Sequence, residues 1–151
     1  MPDAVGRSFP KDENCIFCKI VAGTIPCFKL YEDDQVLCFL DVFPIVAGHT
    51  LIIPKSHYSN IMETPPEVLA AINLRVPKLV AAAVKGVSAV ACHVLTNSGR
   101  EAGQSVDHLH YHILPRFEGD GYKLNWNPSK LDPTLAARLQ LSIGQTLTHD
   151  R

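Results

Sequence analysis

Residues 103–114 read Gly103-Gln104-Ser105-Val106-Asp107-His108-Leu109-His110-Tyr111-His112-Ile113-Leu114. Side chains alternate faces along a β-strand. His108, His110 and His112 are therefore expected on one face, with Leu109, Tyr111 and Ile113 on the other, in a core. Three imidazoles in a row lose stability unless their nitrogens find partners, and charging all three together is unfavourable. Such a row suits two jobs. One is metal binding through neutral imidazole. The other is covalent catalysis on phosphorus, in which a neutral ring attacks and later leaves. The loop just upstream favours phosphorus: Asn97, Gly99, Gly103, Gln104 and Ser105 bring amides, a hydroxyl and close backbone approach beside the histidines.

The flanking sequence supplies the rest of a sheet. Val90 to Thr96 and His108 to Pro115 read as the last two strands. Phe28 to Glu32 and Val36 to Asp41 read as a hairpin turning at Asp33-Asp34. His49 to Pro54 is a further β-rich run. Pro65-Pro66-Glu67 opens a helical pattern that continues to Lys85, with Pro77 expected to kink or split it. Asn14 is placed to cap a short helix over residues 15–20, which Gly23 ends. Leu131, Leu135, Leu139, Ile143 and Leu147 form one helical stripe. Such stripes usually pack on the body of a protein, and a partner-binding helix is the other reading.

The chain has 151 residues and a net charge of −1, which argues for one main domain and against broad binding to nucleic acid. No apolar run approaches the roughly 20 residues of a membrane span, and residues 1–7 lack the apolar core of a signal peptide. A cytoplasmic location is expected. Five cysteines is an odd number that sits badly with a full disulfide framework. Cys15 and Cys18 form a Cys-x-x-Cys pair, able to clasp a metal or form a redox couple. The βαβ context of a thioredoxin-like site is missing.

The His-apolar-His-apolar-His run with its Gly-Gln-Ser-Val lead resembles the signature of the histidine triad (HIT) superfamily. Ile16-Phe17-Cys18-Lys19-Ile20, Phe39-Leu40-Asp41 and Gly48-His49-Thr50-Leu51-Ile52-Ile53-Pro54-Lys55-Ser56-His57 are similar to further segments of its nucleotide-binding branch. The likeness runs from about Cys15 to Trp126. The likeness marks a HIT domain at 15–126; the polar residues 1–14 are expected as a mobile tail, and the leucine stripe places a helix in a C-terminal extension at 127–151.

The resemblance implies an α+β HIT-like fold, with a curved antiparallel sheet and helices, paired as a homodimer. It implies hydrolysis at the α-phosphate of a purine mononucleotide such as AMP carrying a leaving group. His110 would be the nucleophile of a nucleotidyl-histidine intermediate, assisted by His112 and Ser105. Asn97, Gln104, Ser105 and His112 match phosphate contacts, and Asp41 matches the acid that accepts ribose hydroxyls. Ile16, Phe17, Phe39 and Val42 match the apolar slot for the base, and His49 has a supporting role. Zinc-containing relatives, bacterial ones above all, point to Cys15, Cys18, His57 and His108 as a closed four-ligand set, hence a structural zinc. The leading activity is adenosine 5′-monophosphoramidase. The alternatives are a dinucleoside polyphosphate hydrolase and a non-catalytic nucleotide-sensing scaffold.

Overall fold

The computed structural model describes residues 10–123 and 127–149, with side chains to residue 147. Residues 1–9 of the expected tail, Trp126 at the end of the family likeness, and the His149 side chain lie outside the described residues. The chain divides into two compact units, one ending at Asp120 and one starting at Gly121.

The first unit runs α1 (Ile16–Val21), β1 (Lys29–Glu32), β2 (Val36–Leu40), β3 (Thr50–Pro54), α2 (Pro66–Asn73), α3 (Val76–Gly86), β4 (Ala91–Leu95) and β5 (Tyr111–Arg116). The five strands form one antiparallel sheet in the order β1-β2-β3-β5-β4. β2 and β3 are apolar at almost every position because both faces are covered. Val36, Cys38, Ile52, Tyr111 and Ile113 pack with Ile72 of α2 and Leu79 of α3. Leu37, Phe39, Leu51 and Ile53 point the other way, onto Cys15, Phe17 and Cys18 around α1. Pro77 splits the long helical pattern: α2 stops at Asn73 and α3 restarts with the proline in its first turn, where its missing N–H is tolerated.

The curved, dimer-paired sheet is corrected. β-bulges bend strands, and among the described ladders the one register shift lies at the edge, between Lys29 and Tyr31. The sheet is open and not strongly curled. The homodimer attached to that expectation has no counterpart in this structure of a single chain.

Three local differences have identifiable causes. Cys15, not Asn14, caps α1, its Sγ accepting the Cys18 N–H at 3.5 Å. Residues 10–14, expected as tail, are tied down: Pro10 O accepts from His57 N at 2.7 Å and Asp12 O from Cys15 N at 3.1 Å. β5 starts at Tyr111 rather than His108, because Leu109 N bonds instead to Tyr58 O at 2.6 Å in the loop after β3.

The second unit contains α4 (Pro133–His149). Its stripe is largely exposed at Leu131, Leu139, Ile143 and Leu147. Among the described residues no helix is long and apolar enough to cross a membrane.

Candidate active site

Two clusters flank Phe17, whose ring meets His108 and His110 edge-on, with centroids 5.8 and 5.2 Å away. The first cluster is Cys15, Cys18, His57 and His108. His108 Nε2 donates to Pro54 O at 2.9 Å, so its Nδ1 presents a lone pair. That Nδ1 lies 3.5 Å from Cys15 Sγ and 3.7 Å from Cys18 Sγ, and His57 Nδ1 lies 3.4 Å from Cys18 Sγ. Ordinary zinc bond lengths place S and N ligands about 3.5–3.6 Å apart around a tetrahedral ion. The donor set and spacing therefore fit a metal, and the Pro54 carbonyl orients one ligand as an outer-shell partner. Burial pushes His108 down to about 4, so the ring is neutral, as a ligand must be.

The second cluster lines a cavity of about 380 Å³. His110 Nδ1 lies 2.7 Å from His108 O. A carbonyl only accepts, so the proton sits on Nδ1 and the Nε2 lone pair is available. His49 Nδ1 accepts the Ile45 N–H at 3.2 Å, and His49 Nε2 lies 2.8 Å from His112 Nδ1. His112 Nε2 is buried without a partner among the described residues. Burial lowers His49, His110 and His112, the last to about 4. Burial thus favours the neutral form of each ring. Asp41, His49 and His112 also bring three potential ligand atoms within 4.8 Å of one another, but two imidazole nitrogens on one zinc sit about 3.3 Å apart. At 2.8 Å the His49–His112 contact is a hydrogen bond.

Strand alternation puts His112 on the α1 side of the sheet. His108 and His110 precede β5 and reach the same side through their bonds to Pro54 and the His108 carbonyl. The cavity brings together Ile16, Phe17, Phe39, Asp41, Val42, His49, Ser105, His110 and His112. Asn97 and Gln104 do not line it. Gln104 braces the loop instead: its Oε1 accepts from Gly99 N at 2.8 Å, and its Nε2 donates to Ser59 O at 2.5 Å and Val106 O at 2.9 Å. Asp41 Oδ1 accepts from Phe43 N at 2.8 Å, and Oδ2 lies 3.5 Å from His49 Nε2.

Several wall residues escape a motif-based reading, notably Ile25, Cys27, Phe43, Ile45 and Val106. The available signal is the apolar loop Val42-Phe43-Pro44-Ile45-Val46. A cluster of exposed apolar side chains in a connection marks a binding surface.

Comparison with known proteins converges on one family. The HIT domain profile matches residues 22–119. An Arabidopsis thaliana protein named adenylylsulfatase HINT3 is 50% identical over 118 residues, covering 78% of this chain and 60% of that protein. The chain thus spans about three fifths of that relative's length. A crystal structure of a HIT family member from Bacillus subtilis superposes with a TM-score of 0.81 at 42% identity, covering 88% of this chain and 96% of that one. A zinc-bound histidine triad family protein from Mycobacterium smegmatis gives a TM-score of 0.70 at 33% identity, covering 91% and 98%.

Proposed function

Because this chain belongs to the HIT domain family, a family associated with nucleotide hydrolysis, we propose that it hydrolyses adenosine 5′-phosphates bearing a leaving group on the α-phosphorus. The observation that carries this reading is the His110 tautomer. Its Nδ1–H is held by the His108 carbonyl, leaving a neutral Nε2 nucleophile beside an apolar slot and a carboxylate. His110 Nε2 bonds to the α-phosphorus as the bond to the leaving group breaks, a leaving amine taking a proton from solvent as it departs. Water then breaks the phosphorus–nitrogen bond, releasing AMP and returning His110 to its neutral ring, and the water's proton passes to solvent. His112 Nε2–H and Ser105 donate to phosphoryl oxygens, where charge develops. Phe17, Phe39, Ile16 and Val42 hold the purine, and Asp41 the ribose. Asn97 and Gln104 act from the loop.

Adenosine 5′-monophosphoramidates are the leading substrates. The name of the Arabidopsis relative adds a second: adenylyl sulfate, whose sulfate leaves without needing a proton. Cys15, Cys18, His57 and His108 would hold a zinc ion, whose role would be structural because four protein ligands leave no open position for water, and these ligands would tie α1, and with it Phe17, to the site. The experiment is single-turnover mixing with enzyme in excess over adenosine 5′-phosphoramidate, alkaline quench and peptide mass spectrometry. An adenylyl adduct on the His110 peptide is expected. Steady turnover with no adduct at any time removes the covalent mechanism. Turnover of diadenosine polyphosphates faster than of phosphoramidate or adenylyl sulfate reassigns the substrate class.

A further inference from the structure

Ile45 has no reactive side chain, yet its backbone N–H donates to His49 Nδ1 at 3.2 Å. With Nδ1 accepting, the proton of neutral His49 sits on Nε2. That nitrogen lies 2.8 Å from His112 Nδ1 and 3.5 Å from Asp41 Oδ2, and both can accept from it. His112 Nδ1 is then an acceptor, so the His112 proton sits on Nε2, the buried nitrogen without a partner in the cavity-lining ring. The opposite arrangement sets two N–H groups against each other at Ile45 and His49. It also turns a lone pair of His112 toward an anionic phosphate.

We propose that residues 41–49, between β2 and β3, are a positioning device acting through the Ile45 amide: they fix the His49 tautomer and so make His112 a proton donor to a nucleoside phosphate in the cavity. This rests on the nucleotide-hydrolase reading above. The same loop presents apolar side chains to the substrate. Val42, Phe43 and Ile45 line the cavity and are 62%, 85% and 59% exposed. A flat base laid on them buries apolar area on both sides. The loop is internally tied: Asp41 N donates to His49 O at 2.9 Å, His49 N to Val46 O at 3.1 Å, and Phe43 N to Asp41 Oδ1 at 2.8 Å. Residues that meet the base and the amide that sets the histidine therefore move together. Base occupancy holds the donor ready, and part of the preference for nucleosides over simple phosphoramidates falls in kcat rather than KM.

The test uses the 151-residue chain with 15N-labelled histidine, with AMP bound, comparing wild type, Ile45→Val and Ile45→Pro. Imidazole 15N shifts distinguish a protonated from a bare ring nitrogen. Wild type and Ile45→Val should show Nε2–H on both His49 and His112. Proline has no N–H. Ile45→Pro should lose that pattern and drop kcat on adenosine phosphoramidate by about tenfold or more, the scale of an impaired proton donor. Its KM should move less than about threefold. Nδ1–H on His112 in wild type overturns the proposal, and so does an Ile45→Pro protein that keeps both pattern and kcat. If Ile45→Pro does not fold, the wild-type spectrum decides. His110→Ala, run in parallel, separates the two readings: retained turnover removes the nucleophile, while the His49 and His112 tautomers are still read independently.

Discussion

Gln104 offers a direct test of whether the glycine-bearing loop is built to be touched or built to be held. Its side chain is half-buried and makes three hydrogen bonds: to Gly99 N at 2.8 Å, Ser59 O at 2.5 Å and Val106 O at 2.9 Å. Both amide protons are used within the protein, so neither is left for a phosphate. Gln104→Ala removes all three bonds. At about 1 kcal/mol net each, the loss is about 3 kcal/mol, which for a chain of this size lowers Tm by roughly 6–12 °C. Gly99 sits at φ +94°, which glycine adopts freely, and the Gln104 Oε1 bond is what selects this one of its accessible conformations. Turnover should therefore fall alongside stability. Gln104→Glu is the sharper variant. It keeps size and an acceptor for Gly99 but turns a carboxylate oxygen toward the two carbonyls, so it should melt at least as low as Gln104→Ala at pH 7. Scanning calorimetry and an AMP titration are the assays. A Gln104→Ala protein melting within about 1 °C of wild type, with AMP binding weakened, refutes the bracing argument and makes Gln104 a phosphate contact.

Replacing His110 by alanine should leave circular dichroism and AMP binding nearly unchanged while kcat/KM on adenosine phosphoramidate falls by more than about 100-fold; a residual above about a tenth rules out the nucleophile. Protein purified without chelator should carry about one zinc per chain by the four-ligand count, and stripping it should lower Tm; a metal-free chain with unchanged melting contradicts the cluster at Cys15, Cys18, His57 and His108. Burial works to raise the Asp33 carboxyl, but Tyr31, the Gln35 and Val36 amides and Arg75 together hold it well below the usual range. Its stabilisation is therefore present above the unfolded carboxylate pKa of about 4 and is lost as pH falls below it. Asp33→Asn should melt lower than wild type at pH 7, with the gap closing in urea titrations toward pH 2; a gap independent of pH rejects the ionic account.

Strands β2 and β3 are legible because both their faces are buried, so the apolar runs are unbroken and bounded by Asp33-Asp34, Gly48 and Pro54. Pro77 likewise marks the α2/α3 break without tertiary information. Sheet curvature is another matter. It depends on where bulges fall between partners distant in sequence, and periodicity within one strand carries no trace of that. The α4 stripe shows the same limit: an i, i+4 repeat of leucines establishes a face, and the structure leaves Leu139, Ile143 and Leu147 exposed on it. The Cys15 cap is hidden for a different reason, since a thiol is a weak acceptor outside the usual capping residues.

The triad itself is legible as a group but not as a mechanism. Alternation predicts three histidines on one side. It gives them equivalent surroundings, and they are not equivalent. Each ring has its tautomer set by a different neighbour. Pro54 O takes the Nε2 proton of His108 and turns Nδ1 toward two thiols. His108 O takes the Nδ1 proton of His110 and frees Nε2. His49 Nε2 meets His112 Nδ1, which leaves the His112 proton on Nε2. Two of these neighbours are backbone carbonyls, and the third is oriented by the Ile45 amide. No side-chain motif encodes any of them except His49. The proposed division of three like residues into ligand, nucleophile and donor thus rests on main-chain geometry. It follows that substitutions distant from the triad, at Ile45 or at Pro54 where β3 ends, should change the chemistry of a histidine without touching its identity.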